Sequence, residues 1–374
     1  MAGVYIHIPF CRKACHYCNF HFSTSSRLQE GFVKALLQEI KLRKTYFSEP
    51  VTTIYFGGGT PSILPSADID KIVAALMQTF VVEPGAEITL EANPDDISVE
   101  KLQEWKEIGI NRLSIGVQSF FEEDLKWMNR AHSAQQATNC IQLAQDAGFY
   151  NLTIDLIYGT PTLSDENWKK NVATAMSHQI PHLSCYALTV EPKTALDKLI
   201  QQQALAPVDP EKQARHFEQL MEWTKDKGYD HYEISNFAKP GFRSKHNSSY
   251  WQGKPYLGLG PSARSFNGNS RQWNIANNAL YIQSISRGTI PMEEEVLTKE
   301  QQLNEYIMTS LRTMEGLSLQ KVLKDYGEDK QQLVLKTAIA HIERAHLSLE
   351  NDCLKTTSQG KLLADGIAAD FFVL

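Results

Sequence analysis

The sequence predicts an α/β protein built on a partial (β/α)6 TIM-type barrel, followed by a smaller winged-helix-like α+β domain. Three observations lead there. Six short β-rich runs recur over roughly residues 1–200, each followed by a stretch with helical spacing, and strands alternating with helices pair in parallel through right-handed crossovers. Six units fall short of the eight that close a full barrel, so the barrel is open. From about residue 298 the order changes to helix, short helix, helix, hairpin and a last helix.

The six runs are VYIHI (4–8), TTIYF (52–56), EITLEA (87–92), RLSIGV (112–117), NLTIDLI (151–157) and HLSCYAL (182–188). The first intervening helix, EGFVKALLQEIKLRK, places Phe32, Leu36, Leu37, Ile40 and Leu42 among charges as an amphipathic layer. In SVEKLQEWKEIG, Ser98 is a candidate N-cap and Gly109 a C-terminal stop. Residues 201–295 read as an extension, with the helix DPEKQARHFEQLMEWTKDKG and then a stretch rich in Tyr, Asn and Gly. Residues 296–374 carry the winged-helix order, with LSLENDCLKTT as the hairpin and GKLLADGIAADFF as the last helix. Its third helix, DKQQLVLKTAIAHIERAH, has only scattered Lys and Arg, which favours a structural or protein-contact role over DNA reading.

Composition narrows the function. With 37 Lys plus Arg against 43 Asp plus Glu, the net charge of -6 offers no footprint for nucleic acid or an anionic membrane face. The start MAGVYIHIPFC lacks a basic n-region and a long apolar run, and no stretch approaches ~18 apolar residues, so a cytoplasmic protein is expected. Six cysteines stand at 11, 15, 18, 140, 185 and 353. In a reducing compartment the cluster of three points to metal, and the scattered three read as small buried residues.

Chemistry in such barrels sits at the C-terminal ends of the strands, where Cys11, the glycines after TTIYF, Glu91, Gln118 and Asp155 fall. The run CRKACHYC has the spacing CxxxCxxC. Three thiolates can hold three corners of a cubic 4Fe–4S cluster and leave one iron open to a small molecule; a Cys3His zinc site with His16 or His21 satisfies the same spacing. Gly57, Gly58 and Gly59 let backbone approach a ligand closely, or form a plain strand-to-helix turn. Glu91 suits an ammonium or ribose hydroxyls, or pairs with an arginine, and Gln118 and Asp155 invite the same reading. Arg130, on the helical stretch after Gln118, has a planar fork that fits a carboxylate, although the same residue suits a solvated helix surface. In HNSSYW, His246 flanked by Tyr250 and Trp251 has the chemistry to ligate heme iron while aromatics cover the macrocycle; a capped turn is the alternative.

The cysteine spacing at the end of the first strand of a partial barrel is similar to the radical S-adenosylmethionine superfamily. Together YIHIPFC, YFGGGTPS, EANP, RLSIGVQSF, DLIYGTP, YEISNFAKPG, HNSSYW and LGLGPSA resemble the oxygen-independent coproporphyrinogen III oxidase family and its heme-chaperone branch over nearly the whole chain. The resemblance implies a 4Fe–4S cluster on Cys11, Cys15 and Cys18, whose open iron takes the amino and carboxylate groups of S-adenosylmethionine. It further implies nucleotide contacts at Tyr5, Gly58, Gly59, Thr60, Glu91, Gln118, Arg130 and Asp155, with Tyr17 beside adenine. The oxidase resembled has a fourth cysteine two residues after the third and a longer N-terminal arm; this chain has Phe20 there and four residues before Tyr5. Both departures imply the chaperone branch. The expectation is a protein that binds heme, with His246 as its ligand, and passes it to apo-hemoproteins, respiratory ones foremost. No nucleic acid is expected as partner, and membrane contact is expected only peripherally, through partners. A coproporphyrinogen III dehydrogenase is the alternative; a radical enzyme acting on another substrate is a third.

Overall fold

The computed structural model describes residues 2–373. Its centre is a run of six parallel strands: β1 (Ala2–Ile8), β2 (Val51–Gly58), β3 (Val82–Ala92), β4 (Arg112–Gln118), β5 (Leu152–Tyr158) and β6 (His182–Ala187). Successive side chains of a strand point to opposite faces. In β1 the aliphatic set Val4, Ile6 and Ile8 is fully buried in the same core as Phe32, Leu36 and Ile40 of the helix Gln29–Leu42. The alternate set, polar and aromatic, faces inward and lines up between strands: Gly3 pairs with Thr53, Tyr5 with Tyr55, Thr53 with Glu87, and Asp155 with Ser184. The barrel interior is therefore a column of polar layers inside an aliphatic shell.

Residues 201–295 do more than extend the chain. They contribute β7 (Asp230–Glu233), β8 (Asn236–Ala238), β9 (Tyr256–Leu259), β10 (Arg264–Phe266), β11 (Ser270–Asn274) and β12 (Met292–Val296), which continue the barrel sheet at both open edges. β9 runs parallel to β1, and β8 antiparallel to β6. At three to five residues these strands are too short to show an alternation in sequence.

The first helix also departs from expectation in detail. Leu42 is exposed, and Glu39 is buried instead. Its carboxylate accepts from the Gly260 amide at 2.8 Å, from Asn274 Nδ2 at 2.7 Å and from the Tyr281 hydroxyl at 2.6 Å, which ties the added strands to the barrel. Ser98 does cap the next-but-one helix, accepting from the Lys101 amide, and Gly109 ends it in the left-handed conformation at φ 99°.

A second core gathers Leu303, Ile307, Val322, Val334, Leu354 and Phe371. Helices Lys299–Ser310, Leu319–Tyr326 and Glu328–Glu343, the hairpin of Leu347–Glu350 with Cys353–Thr356, and helix Ala364–Asp370 surround it. The short strand Leu317–Ser318 pairs with the hairpin, completing a winged-helix arrangement. Of the scattered cysteines, 140 and 185 are buried and Cys353 is half-buried on the hairpin. Among the described residues no helix is long and apolar enough to cross a membrane.

Candidate cluster and nucleotide site

The cysteine loop leaves β1 and lies across the C-terminal mouth of the barrel. Its backbone is pinned to the C-terminal end of the helix Glu122–Trp127: the His16 amide donates to Met128 O at 3.1 Å, Asn129 Nδ2 donates to Ala14 O at 2.7 Å, and His16 Nδ1 bonds Trp127 O at 2.9 Å. On the other side Arg12 meets Asp96 at 2.5 Å. The three thiols stand half-exposed on this fixed loop.

Gly59 backs directly onto them. Its amide donates to Ile8 O at 2.8 Å, and a Cβ there would lie 2.7 Å from Phe10 O and 3.0 Å from Cys11 Sγ. Thr60 bonds the same sulfur at 3.5 Å. Gly58 has φ 108° and no room for a Cβ against the His7 ring, so both conformation and space require glycine. Gly57 faces a hollow bounded by Tyr5, Tyr55 and Glu91, all within 3.1 Å of where its Cβ would be.

Arg130 stands in the turn after the helix Glu122–Trp127, not on a helix as expected. Its Nη2 donates to Asn93 Oδ1 at 2.7 Å and to Gly116 O at 2.8 Å, and its Nη1 approaches Cys15 Sγ at 3.4 Å and the Tyr17 hydroxyl at 3.5 Å. The buried Nε has no partner. The guanidinium is thus aimed at the cysteines with a donor to spare. Gln118 ends β4 with φ 65°, an uncommon conformation for a side-chain-bearing residue. Its amide lies close to Arg130 over Gly116, where an added Cβ would touch both. Tyr17 packs its ring against the cluster of Leu125, Met128, Ile157, Leu188 and Leu196, with its hydroxyl turned to Arg130.

Below this rim lie the carboxylates. Glu91 accepts from the Tyr55 hydroxyl at 2.8 Å, and burial, reinforced by Asp155, pushes its pKa up to about 8. Asp155 lies in the middle of β5 rather than at its end; burial pushes it up to about 6, against Arg112 and the Ser114 hydroxyl at 3.4 Å. Two carboxyls held towards neutrality in a polar hollow await a cation or hydroxyl donors.

The thiols fit a cluster better than a single ion. Burial raises Cys11 and pushes Cys18 to about 11, so thiolate needs a strong local positive charge. His21 bonds Asn278 Oδ1 through Nε2 at 2.7 Å and His16 bonds Trp127 O through Nδ1 at 2.9 Å, each keeping its other ring nitrogen. Among the described residues no three His, Cys, Asp or Glu side chains converge as a single-ion site. Thiolates spread over one loop match ligands to separate irons of a cube.

His246, the expected heme ligand, lies at the opposite end of the barrel from the cysteines. It is 1% exposed. Its amide donates to Glu87 Oε1 at 3.1 Å, Nδ1 bonds Thr53 Oγ1 at 2.8 Å, Nε2 bonds the Tyr250 hydroxyl at 2.8 Å, and its ring stacks on Tyr55. Burial, with Arg112 adding to it, lowers its pKa to about 3. Gly3 leaves just enough space for the ring, since a Cβ there would come within 3.3 Å of it. His246 is the floor plug of the barrel, with both ring nitrogens occupied. Tyr250 and Trp251, by contrast, reach a cleft outside.

Sequence reasoning missed Asn93, His7, Gly116 and Tyr55. Asn93 lay in the quoted EANP, and its Asn-Pro signal marked a turn but not a partner for Arg130.

Comparison with known proteins gives the chain its relatives. A model of the "Radical SAM superfamily" matches residues 5–175, and one of the "HemN C-terminal domain" matches residues 297–363. The chain is 34% identical to "Heme chaperone HemW" of Bacillus subtilis, with 99% of each chain covered. It is 32% identical to the protein of that name from Mycobacterium tuberculosis H37Rv, over 98% of this chain and 93% of the other. The solved structure titled "Coproporphyrinogen III oxidase (HemN) from Escherichia coli is a Radical SAM enzyme" superposes with a TM-score of 0.87 over 100% of this chain and 90% of that one, at 24% identity, a likeness of fold.

Proposed function

The chain belongs to the HemW family of radical SAM proteins, and on that premise we propose that it binds heme and transfers it to apo-hemoproteins. The observation that carries the reading is the match to heme chaperones over the whole length of both chains. Phe20 supports it: the side chain two residues after Cys18 is 67% exposed and has no thiol to offer.

Family membership implies a 4Fe–4S cluster and S-adenosylmethionine. In the proposed arrangement Cys11, Cys15 and Cys18 hold three irons. Backbone groups at Gly58–Gly59 and the hydroxyl of Thr60 line the methionine end, Arg130 neutralises its carboxylate, and Glu91, Gln118, Asp155 and Tyr5 receive the ribose and amino groups. The group supplies, when bound, an open iron and an electron for homolysis of a carbon–sulfur bond. What the chain's own residues do is hold the thiols rigid, exclude side chains from the methionine path at three glycines, and keep two carboxyls ready to ionise against a positive ligand. Recipients are proposed to be respiratory hemoproteins, reached at the membrane surface through those partners.

The test is an anaerobic heme titration of the cluster-reconstituted protein, followed by mixing with an apo-hemoprotein. Saturable binding and transfer to the acceptor are expected. Absence of saturable binding, with conversion of coproporphyrinogen III on addition of S-adenosylmethionine and reductant, would overturn the reading in favour of the dehydrogenase.

A further inference from the structure

A second cavity of about 920 Å³ opens between the β1–β9–β10 side of the barrel and the winged-helix unit, near the upper end of the roughly 300–1,000 Å³ typical of small-molecule sites. Aromatic side chains recur along its walls among polar ones: Phe20, Tyr250, Trp251, Tyr256, Phe266 and Tyr326. It also reaches Tyr5 and His7, inner residues of β1, so it communicates with the barrel interior.

Charge in the cleft is uneven. Arg271 pairs with Glu305, and Lys321 pairs with Asp325 at 2.5 Å, which accounts for both carboxylates of the lining. Arg264 and Lys299 also line it, are exposed, and have no carboxylate within ion-pair distance among the described residues. Two surplus cations beside an aromatic slot match a flat, apolar ring system that carries two carboxylates.

Resting on the proposed function, we infer that this cleft is the heme site, with the macrocycle between the aromatic walls and its two propionates at Arg264 and Lys299. Tyr250 and Trp251 then enter as wall residues. His246 acts behind them, fixing Tyr250 through the 2.8 Å bond from its Nε2. Phe20 lines the cleft from the cysteine loop and so brings the cluster end of the barrel to the same cargo.

Heme and heme dimethyl ester, whose propionates are masked, distinguish the site from the function. Wild-type protein is expected to bind heme roughly tenfold or more tighter than the diester. Arg264→Glu with Lys299→Glu is expected to weaken heme by a similar factor and abolish the discrimination, with iron and sulfide content unchanged. The same charge change at Lys169 and Lys225, both exposed and away from the cleft, is expected to leave the discrimination intact. Arg264→Gln with Lys299→Gln repeats the measurement without charge reversal. Equal binding of heme and diester by the wild type, or undiminished discrimination in both double variants, overturns the site and leaves the chaperone reading standing. No saturable heme binding by the wild type overturns both.

Discussion

Glu87 and Glu91 lie four residues apart on the same face of one strand, and they live in opposite circumstances. At the barrel floor Glu87 accepts the amides of Lys245 and His246 at 3.2 and 3.1 Å. At the mouth Glu91 has the Tyr55 hydroxyl and a carboxyl neighbour, Asp155, which adds to the effect of burial in pushing it up to about 8. The floor is filled by the chain itself, through the helix Lys245–Trp251 and its plug His246. The mouth leaves an orphan Arg130 Nε, three half-exposed thiols and glycines that make room. One end of the interior serves stability, and the other is arranged for a ligand.

The contrast can be broken by substitution, beginning where the effect is largest. Cys15→Ala is expected to abolish the cluster, read as loss of essentially all iron and sulfide after anaerobic reconstitution, while the folded far-UV spectrum persists. At the floor, His246→Ala removes two buried hydrogen bonds and a stacked ring, and about 3–5 kcal/mol of stability in urea unfolding goes with them. The coordination spectrum of whatever heme still binds is expected to stay unchanged; a switch of axial ligand would show that His246 leaves the floor to reach iron.

The two glutamates sharpen the comparison directly. Glu87→Ala leaves two backbone amides without their acceptor and is expected to cost about 2–4 kcal/mol. Glu91→Gln should instead stabilise the ligand-free protein. Because its folded pKa is raised above the ordinary 4.5 to about 8, the wild type loses stability as pH climbs through that window, whereas the amide does not. The advantage of Glu91→Gln is therefore absent near pH 4 and largest above pH 8, measurable by thermal melts of ligand-free protein across that range. A pH-independent difference would show that Glu91 is not held neutral.

Smaller effects are expected at the rim. Arg130→Lys keeps the charge but loses the fork that spans Asn93, Gly116 and the cysteines, and should weaken S-adenosylmethionine by roughly tenfold in equilibrium dialysis. Phe20→Cys restores the thiol of the oxidase pattern and should change iron and sulfide stoichiometry not at all, since three ligands suffice for the cube.

Much of the mouth was legible because its signals are local. CxxxCxxC, the glycine run and the β-rich runs of five to seven residues each fit within one short window, and strand ends in an α/β barrel point chemistry to one side. The six units and the winged-helix order were read correctly for the same reason. Where the reading failed, the deciding contact lay far along the chain. Arg130 looked helical because its neighbours were; Asp155 looked terminal because strand ends are the least sharply marked feature of a sequence. Glu39 looked like a surface charge until Gly260, Asn274 and Tyr281, more than 220 residues away, closed around it.

By itself, then, the amino-acid order determined the alternation of strands and helices, the cysteine triad and the departure at Phe20, because each is a matter of spacing and residue type. Tertiary structure alone decided where His246 sits. Its chemistry suits iron and a barrel floor equally, and its place follows from Thr53, Glu87 and Tyr250 meeting it from three elements and burying it at the end of the barrel opposite the cysteines. The same holds for the aromatic cleft. Its walls come from the cysteine loop, the added strands and the winged-helix unit, and no single stretch of sequence contains enough of them to announce it.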